Sequence, residues 1–599
     1  MKLPDYVASF FASRGAEQLF AISGASNLRL LDAFARHPAL RYVCPHHEQA
    51  GVMAAITYTR LSRRPGIMMV TAGPGAANTI TGLASAYLDS IPIFVIAGQE
   101  KSDYLAPGYG CRGKGVQGLP MVRIVEPVTK MAVTVTHPTE IRSVLERAFH
   151  EAYSGRPGPV WIEIPQDLQT ADIDPDSLPG FTAPAAPAVD YTGAAQRTIA
   201  LLRDAERPLL WVGHGIRLAD CVAEFRDAVV QLGVPVLAAW NGADLIEESH
   251  PLYAGRAGTY GQRAGNFAVQ NCDLLIALGT RLAIPQMGYV QKEFARAARK
   301  VVIEIDPAEL AKLDPAPDLS VCGDVGAFLR ALLAELAAAP ANRAARTGWV
   351  ERCARWRREY PPVTDEHRLP VAGKINSYDF IDQLSDALAP DDVIVTDMGT
   401  SLTCTHAAIR LQDGQRLVTS TGLGEMGFGL PGAIGASLGA PERRVVFVGT
   451  EGSLMMNLQE LQTVIHLQLP LKIFILNNNG YLTIRHTEQA LFGDRLTACS
   501  PETGVTFPDL LRLAGAFGFP TFEVDDRARC GEVIRAALAQ PGAVFCNVKM
   551  PEDQFLGPKT AVKVRPDGSL VSPPLEDLFP FLPRPELADN MIVPLLSED

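Results

Sequence analysis

The chain has 599 residues, and at roughly 150 residues per domain this length predicts three or four domains. It carries 54 Lys and Arg residues against 66 Asp and Glu residues, and this net charge of −12 argues against a general nucleic-acid binder. Hydrophobic residues make up 47% of the chain and charged residues 20%, which is the balance of a globular protein with large cores.

No stretch of the sequence is apolar for long enough to predict a membrane span. The N-terminus, MKLPDYVASFF, predicts an amphipathic helix and argues against a cleaved signal peptide. The ten cysteines are scattered and form no C-x-x-C pair, so neither a zinc site nor a disulfide framework has support. Reduced thiols predict a cytoplasmic protein.

Apolar runs alternate with helix-like segments along the chain. The first block has the runs PGIMMVTAG, IPIFVIAGQ and GPVWIEIP, separated by segments such as ANTITGLASAYLD and EIRSVLERAFHEAYS. The middle block has RPLLWVGHG, CDLLIALGT and KVVIEID, and the third has DDVIVTD, RRVVFVG and LKIFILNNN. Near-continuous apolar runs are typical of parallel strands covered on both faces. The sequence therefore predicts an α/β protein of three doubly wound parallel-sheet domains, with one large mixed sheet as the alternative.

Two proline-containing stretches, Asp174–Asp190 and Trp356–Gly373, predict linkers between these blocks. Proline fixes φ and lacks an N–H donor, so such stretches rarely lie inside helices or strands. We expect domains at residues 1–175, 190–345 and 370–555, followed by a Pro-rich tail at 556–599.

The strongest functional pattern lies at the ends of two predicted strands in the third block. The strand VVFVG is followed by Thr450, Glu451, Gly452 and Ser453, and the strand LKIFIL is followed by NNNGY. Ligands of open parallel sheets bind beyond the carboxyl ends of the strands. A carboxylate from Glu451 and an amide oxygen from Asn478 would suit Mg²⁺, which also bridges to phosphate. The alternative is a surface turn and an Asn-rich loop.

This pattern resembles the thiamine-diphosphate (ThDP) enzymes, specifically the acetolactate synthase-like family, whose motif is Gly-Asp-Gly-Ser followed further along by Asn-Asn. Here Thr450-Glu451-Gly452 replaces Gly-Asp-Gly, and Glu offers the same ligand atoms on a side chain one methylene longer. The resemblance implies that Mg²⁺ is held by Glu451, Asn478 and the backbone carbonyl of Gly480. It also implies that Met426 is wedged under ThDP. The ThDP contacts implied in this block are Gly399, Gly424, Met426, Gly452, Ser453, Asn478, Tyr481 and Leu482.

In the first block, Glu48 lies in the segment HHEQAG at the start of an Ala-rich run that predicts a helix. Taken alone, Glu48 is an acid favoured by the helix dipole. In the family that the chain resembles, a Glu in this position hydrogen-bonds the aminopyrimidine ring of ThDP, and burial helps such a group to keep a proton. The resemblance further implies an active-site role for Gln117, and we expect Asn78 to cap the next helix. The ThDP contacts implied in this block are Gly24, Ala25, Glu48, Pro74 and Asn78.

The middle block contains the segment VGHG after a predicted strand, and a lone G-x-G is weak support for a dinucleotide site. The block also resembles the FAD-binding middle domain of acetolactate synthases. The alternative is a structural domain without flavin. The FAD contacts that the resemblance implies are Gly213, Gly258, Gly279, Arg281 and Asp324.

The resemblance extends to about residue 550 and implies a ThDP- and Mg²⁺-dependent transferase or lyase that decarboxylates a 2-oxo acid such as pyruvate. Acetolactate synthases hold a second 2-oxo acid with an Arg and a Trp, but the corresponding places here hold Pro285 and Thr487. Arg485 and His486 lie near and either bind an anionic acceptor or have surface roles. We therefore expect a carboligase whose acceptor is a carbonyl compound other than pyruvate, for example a keto-sugar nucleotide.

Three alternatives to this function remain open: a true acetolactate synthase, a simple 2-oxo acid decarboxylase, and a non-catalytic ThDP-fold binding module. The tail resembles family members associated with sugar and polysaccharide synthesis. Family enzymes place the pyrimidine-binding domain of one subunit against the diphosphate-binding domain of another. The resemblance therefore implies a homodimer or homotetramer, with Glu48 and Glu451 of one active site on different subunits.

Overall fold

The computed structural model describes residues 1–105, 112–339, 343–493, 495–561, 563–564 and 570–596. Within these ranges the chain forms three six-stranded sheets, and every neighbouring pair of strands in them runs parallel. The predicted α/β class of three doubly wound domains is confirmed, and the single mixed sheet is excluded. No helix in the described part of the chain is long and apolar enough to cross a membrane.

The N-terminal domain places all the predicted apolar runs in its sheet. Its strands are β1 (Gln18–Ala21), β2 (Arg41–Val43), β3 (Gly66–Val70), β4 (Ile93–Gln99), β5 (Met131–Thr134) and β6 (Val160–Pro165). Its helices are α1 (Leu3–Ser13), α2 (Leu28–Arg36), α3 (Glu48–Ser62), α4 (Pro74–Ala77), α5 (Ile80–Asp89), α6 (Ser102–Leu105), α7 (Met121–Val125) and α8 (Ile141–Tyr153). The strand order β2-β1-β3-β4-β6-β5 reverses direction between β1 and β3.

The central domain has a different strand order. Its strands are β7 (Pro208–Val212), β8 (Val236–Ala238), β9 (Tyr253–Gly255), β10 (Leu274–Leu278), β11 (Arg299–Glu304) and β12 (Leu319–Cys322). Its helices are α9 (Tyr191–Asp204), α10 (Gly215–Leu218), α11 (Val222–Leu232), α12 (Arg263–Asn271), α13 (Ile284–Met287), α14 (Pro307–Ala311), α15 (Val325–Ala338) and α16 (Thr347–Glu359). The order β12-β11-β10-β7-β8-β9 reverses direction between β7 and β10.

The C-terminal domain repeats the order of the N-terminal one. Its strands are β13 (Val393–Thr396), β14 (Arg416–Val418), β15 (Val445–Thr450), β16 (Lys472–Asn477), β17 (Thr521–Val524) and β18 (Val544–Lys549). Its helices are α17 (Ser377–Ala387), α18 (Thr400–Ala408), α19 (Gly429–Gly439), α20 (Glu451–Leu454), α21 (Glu460–His466), α22 (Leu482–Phe492), α23 (Leu510–Ala516) and α24 (Arg527–Ala539). The order β14-β13-β15-β16-β18-β17 reverses direction between β13 and β15.

The two predicted linkers differ in the structure. Residues 179–190 contain neither helix nor strand and are largely exposed. The second linker begins later than predicted, because α16 continues to Glu359 and buries Trp356 completely. The indole of Trp356 packs edge-on against Trp349 and donates a hydrogen bond to Asn590. Apolar burial thus extends the helix into the segment that the prolines suggested was linker.

The tail after β18 contains the short antiparallel strands β19 (Lys563–Val564) and β20 (Leu570–Val571) and the helix α25 (Arg584–Asn590). It docks on the central domain through buried polar contacts. Asn266 donates to the carbonyl of Leu575 at 2.7 Å, and Gln270 donates to Glu576 at 2.6 Å. The segment predicted as a Pro-rich tail is therefore part of the packed structure of the central domain.

Helix α3 joins the first and third domains of the chain. It is buried over most of its length and packs against α19. The two backbones approach so closely that a Cβ on Gly435 would lie 2.0 Å from the carbonyl oxygen of Ala54. Just before α3, the N–H of His46 donates to Glu460 of the C-terminal domain at 2.9 Å. This contact fixes the segment that leads into Glu48.

Candidate active site

Four of the site residues predicted from the sequence follow strands at which a sheet reverses direction. In the N-terminal sheet, Gly24 follows β1 and Pro74 follows β3. In the C-terminal sheet, Gly399 follows β13 and Glu451 follows β15. Connections from two such strands run to opposite faces of the sheet and leave a crevice between them, where ligands of this architecture bind. Each domain therefore offers one half of a site, which we call the Glu48 half-site and the Glu451 half-site.

The Glu48 half-site centres on a buried carboxylate. Glu48 is the first residue of α3, and only 8% of it is exposed. Its Oε2 accepts a hydrogen bond from the Nδ2 amide of Asn78 at 3.0 Å. The predicted cap role of Asn78 is wrong, because α5 begins at Ile80 without a side-chain cap and the Asn78 amide is directed to Glu48 instead. A buried carboxylate needs a donor, and Asn78 supplies it.

The turn after β3 brings the other predicted residues of this half-site together. A Cβ on Gly75 would lie 3.1 Å from Oε1 of Glu48, and a Cβ on Gly73 would lie 2.9 Å from the Cβ of Gln117. Gln117 is held by its own backbone N–H, which donates to Glu100 at 2.7 Å. Its side chain is exposed beside the turn, as are Ala25 and Pro74.

The Glu451 half-site contains the second buried carboxylate. Glu451 is fully buried, and its Oε1 accepts the backbone N–H groups of Asn478 and Gly480 at 3.0 Å each. Desolvation raises the pKa of this carboxyl to about 7. Three buried oxygens have no hydrogen-bond partner among the described residues: Oε2 of Glu451, Oδ1 of Asn478 and Oγ of Ser453. Unpaired buried oxygens are costly, so this set fits a hard cation together with a phosphate group.

The remaining predicted residues of the third block surround this carboxylate. Gly452 lies against the ring of Tyr481, and its Cβ would be 3.5 Å from the terminal methyl of Met426. Leu482 is buried and begins α22. Gly424 lies against the terminal methyl of Met398. A Cβ added to the neighbouring Gly399 would meet no atom within 4 Å. The structure thus brings the predicted third-block residues to one edge of the sheet, with open space beside Gly399.

The cationic candidates for an acceptor site are already engaged in the structure. Arg485 is only 7% exposed, and its guanidinium donates to the backbone carbonyl of Glu552. His486 stacks on Phe555, and desolvation lowers the pKa of its imidazole to about 4, so it is neutral at pH 7. The carbonyl of Pro285 accepts from the N–H of Thr259 at 2.8 Å, and Thr487 is exposed. None of these four residues presents an uncommitted positive charge.

Gly424 and Met426 lie in a loop that is held at its ends by hydrogen bonds, which the sequence patterns did not predict. We call residues 420–427 the cofactor loop. At its far end, the buried carboxylate of Asp397 accepts the N–H groups of Gly427 and Gly429 at 3.1 Å each. Desolvation raises the pKa of Asp397 to about 6. Asp397 directly follows β13 at the carboxyl edge of the sheet, and that position was the signal that could have found it.

Glu425 lies in the middle of the cofactor loop. Its Oε2 accepts a hydrogen bond from the Ser420 hydroxyl at 2.6 Å, whereas its buried Oε1 has no partner among the described residues. Desolvation raises the pKa of Glu425 to about 7, and the nearby Asp89 raises it further. The carboxyl is therefore more easily kept neutral in the folded protein than in the unfolded chain.

Replacing Glu425 with Gln should make the apo protein more stable at pH 8 but not at low pH. The pKa of Glu425 is 4.5 in the unfolded chain and about 7 in the folded protein. The neutral carboxyl therefore contributes fully to the free energy of unfolding below about pH 4.5, and this contribution is lost as the pH rises through about 7. We expect the free energy of unfolding of E425Q, relative to wild type, to increase by about 2–3 kcal/mol between pH 5 and pH 8. Urea unfolding without Mg²⁺ or ThDP measures this, with the exposed Glu442→Gln as control. Parallel pH profiles for E425Q and wild type would contradict the assignment.

The central domain contains a cavity of about 290 Å³ at its own point of strand reversal. Gly213 follows β7 and Gly279 follows β10, and the two loops touch, since a Cβ on Gly213 would lie 2.5 Å from the Gly279 carbonyl oxygen. Arg281 and Asp324 also line the cavity. Gly258 is not among the lining residues; its Cβ would meet the carbonyl of Pro285 at 2.3 Å, which indicates a packing role. Four of the five residues predicted for FAD therefore share one cavity.

Comparison with known proteins agrees with this geometry. Residues 1–120 match the thiamine pyrophosphate enzyme N-terminal TPP binding domain, residues 195–332 the central domain, and residues 397–548 the C-terminal TPP binding domain. The acetolactate synthase isozyme 2 large subunit of Escherichia coli (strain K12) is 33% identical over 555 residues, covering 92% of this chain and 96% of that protein. The acetolactate synthase large subunit of Parasynechococcus marenigrum (strain WH8102) is 34% identical, covering 89% and 85%. Acetolactate synthase 3, chloroplastic, of Brassica napus is 32% identical, covering 92% and 84%.

Three parallel-sheet domains with these matches define a thiamine-diphosphate-dependent enzyme. Identity to acetolactate synthases extends over about nine-tenths of the chain. The chain therefore belongs to the acetolactate synthase-like family of thiamine-diphosphate enzymes.

Proposed function

We propose that the protein is a ThDP- and Mg²⁺-dependent carboligase that decarboxylates pyruvate and transfers the two-carbon unit to a carbonyl acceptor. The observation that carries this proposal is the pair of half-sites, each with a buried carboxylate. Glu451 follows a strand at the reversal of its sheet, and Glu48 lies against the turn after β3, at the reversal of the other sheet. The family membership and the names of the acetolactate synthase relatives support it. The retained carboxylates argue against a non-catalytic binding module, since each is buried and one has unsatisfied oxygens.

ThDP, when bound, supplies the nucleophilic carbon that attacks the 2-oxo acid. The protein's residues place and hold it. Glu48 accepts or donates a proton at its Oε atoms, and Asn78 keeps the carboxylate oriented through its Oε2. In the other half-site, Glu451, Asn478 and the carbonyl of Gly480 would hold Mg²⁺, with Ser453 directed to the diphosphate. Met426 packs beside Gly452, where it would limit the space available to the cofactor.

We propose that the acceptor is not a second 2-oxo acid. The places that hold an Arg and a Trp in acetolactate synthases hold Pro285 and Thr487. Arg485 is buried and committed to a backbone carbonyl, and His486 is neutral at pH 7. A carboxylate acceptor brought into this site would therefore lose its hydration without gaining a positive partner. A true acetolactate synthase is the second candidate, because the relatives named above carry that activity in their names.

The two half-sites also support an assembly of at least two subunits. No hydrogen bond or ion pair within the described ranges joins Glu48 or Asn78 to Glu451 or Asn478 of the same chain. Apolar side chains beside the half-sites are exposed, at 54% for Leu28 and between 38 and 58% for several others. Those others are Leu423, Met455, Met456, Ile484, Leu491 and Phe492. Contiguous exposed apolar surface marks an interaction site, and we propose a homodimer or homotetramer that covers it and completes the active site.

We further propose that the central cavity binds FAD. The cavity lies at the reversal between β7 and β10, which is where dinucleotides usually bind in such sheets. The two loops that border it meet through glycines that leave no room for a side chain. Arg281 lines the cavity and makes no hydrogen bond among the described residues. It interacts electrostatically with Asp89, and its guanidinium still has donors for a phosphate. The cytoplasmic location stays a prediction from cysteine usage.

The reaction is tested by incubating the protein with ¹³C-labelled pyruvate, ThDP, Mg²⁺ and acceptors offered singly and in competition, followed by mass spectrometry. We expect labelled CO₂ and a product carrying two labelled carbons on an aldehyde or ketone that is not a 2-oxo acid, formed in preference to acetolactate. Preferred formation of acetolactate identifies a true acetolactate synthase and contradicts the acceptor proposal. CO₂ with free acetaldehyde indicates a simple decarboxylase, and the absence of both CO₂ and ligated product refutes the use of pyruvate.

A further inference from the structure

The near end of the cofactor loop is held by a residue of the N-terminal domain. The carboxylate of Asp89, the last residue of α5, accepts the backbone N–H of Gly422 at 2.9 Å and that of Thr421 at 3.2 Å. Asp89 is only 7% exposed. Together with Asp397 at the far end, it brackets the stretch that carries Gly424 and Met426. Hydrogen bonds to a buried carboxylate are among the stronger contacts in a protein, so the loop position depends on Asp89.

Asp89 is also where the three domains of the chain meet. The side-chain amide of Asn241, from the central domain, donates to Oδ1 of Asp89 at 3.0 Å and to the hydroxyl of Thr421 at 2.7 Å. The guanidinium of Arg60, on α3, donates to Oδ1 of Asn241 at 3.2 Å and to the carbonyl of Thr419 at 2.9 Å. The buried charges of Arg60 and Asp89 are thus bridged by one amide, and the network leaves little freedom to any one member.

Three members of this network, Asp89, Asn241 and Thr421, line the central cavity. A ligand that fills the cavity therefore contacts the same side chains that fix the cofactor loop. Its binding would restrict their motion. A second ligand that needs the loop ordered would then bind at a smaller entropic cost.

We propose that Asp89 is a positioning residue that couples the central cavity to the ThDP site, so that a dinucleotide in the cavity tightens ThDP binding. This inference rests on the proposed ThDP and FAD sites. By linkage, ThDP tightens dinucleotide binding by the same factor. No contact of Asp89 with either ligand's reacting atoms is required, because the effect passes through the N–H groups of Thr421 and Gly422.

The test measures the dissociation constant of ThDP by calorimetry, at fixed Mg²⁺, without FAD and with saturating FAD. Cavity occupancy is followed independently by quenching of tryptophan fluorescence, since Trp240 lines the cavity. We expect FAD to tighten ThDP binding to the wild type by about 5-fold or more. In Asp89→Asn the factor should fall to about 1, because a neutral amide holds the two N–H groups less strongly.

Asp244→Asn is the matched control. Asp244 is also buried at a domain boundary, where it pairs with Arg217 and Arg416, but it does not line the cavity. It should lower the melting temperature and keep the coupling factor. Thr421→Val removes the hydroxyl that accepts from Asn241 and donates to Asp89 at 3.4 Å, but it keeps the Thr421 N–H. This milder second variant should reduce the factor partly.

The outcomes separate this inference from the proposed function. Wild-type protein that binds no ThDP refutes the proposed function and the inference together. Wild-type protein that binds ThDP with an affinity indifferent to FAD refutes the inference alone. An unchanged coupling factor in both Asp89→Asn and Thr421→Val overturns the role of Asp89.

Discussion

Glu48→Gln is expected to lower kcat by about 10³-fold, with the dissociation constant of ThDP changed by only a few-fold. Gln has nearly the shape of Glu, and its side-chain oxygen can still accept the hydrogen bond from Asn78. Gln cannot donate and accept a proton at the cofactor, so kcat falls. ThDP binding is largely retained. Steady-state kinetics and calorimetry on the same preparation measure the two quantities separately.

Glu163→Gln is the control for this substitution. Glu163 is also buried in the N-terminal domain, on β6, where it accepts a hydrogen bond from Thr134 at 2.7 Å. It lies inside a strand and has no hydrogen bond to Glu48 or Asn78, so we expect kcat to stay within about 2-fold of wild type. Near-wild-type turnover by Glu48→Gln would refute the proton role of Glu48.

Glu451→Gln is expected to weaken Mg²⁺ binding by about 100-fold or more, and ThDP binding at a given Mg²⁺ concentration with it. The variant keeps an oxygen for the N–H groups of Asn478 and Gly480, so the turn should persist. What it removes is the negative charge that a divalent cation needs. Calorimetric titration of Mg²⁺ in the presence of ThDP measures the change.

Glu451→Asp is the informative partner of this variant. It keeps the charge and installs the acid that stands in the motif of the family. We expect its Mg²⁺ affinity to remain within about 10-fold of wild type, because the shorter side chain alters reach but not charge. Equal Mg²⁺ affinities for Glu451→Gln and wild type would show that the metal is held elsewhere.

Much of the fold follows from the sequence because apolar runs buried on both faces have few alternatives to a parallel strand. The runs at β3, β4, β7, β15 and β16 were predicted on that ground and are confirmed. The same reasoning misplaced the start of the second linker, because the burial of Trp356 depends on residues far along the chain, including Asn590. The sequence marked residues 556–599 only as a Pro-rich tail, whereas buried contacts with α12 dock this segment on the central domain.

The candidate site divides in the same way. Glu451 and Asn478 were found because each directly follows a strand, and their separation along the chain is set by the helices α20 and α21 and the strand β16. Asn78 was identified, but its partner was not, since nothing local shows that its amide meets Glu48. Asp89 and Asp397 were missed as holders of the cofactor loop, because their partners lie 332 and 30 residues away.

The sequence by itself determined three parallel-sheet domains, the two carboxylates and the residue types that suit a metal and a diphosphate. Strand order could not be read from it, because neighbours in a sheet are set by packing between distant segments. Only the tertiary structure showed that each sheet reverses direction where the site residues lie. It also decided that Arg485 is committed, that the cofactor loop is bracketed by Asp89 and Asp397, and that Asp89 faces the central cavity. Those facts depend on contacts between domains, which a local pattern of residues does not encode.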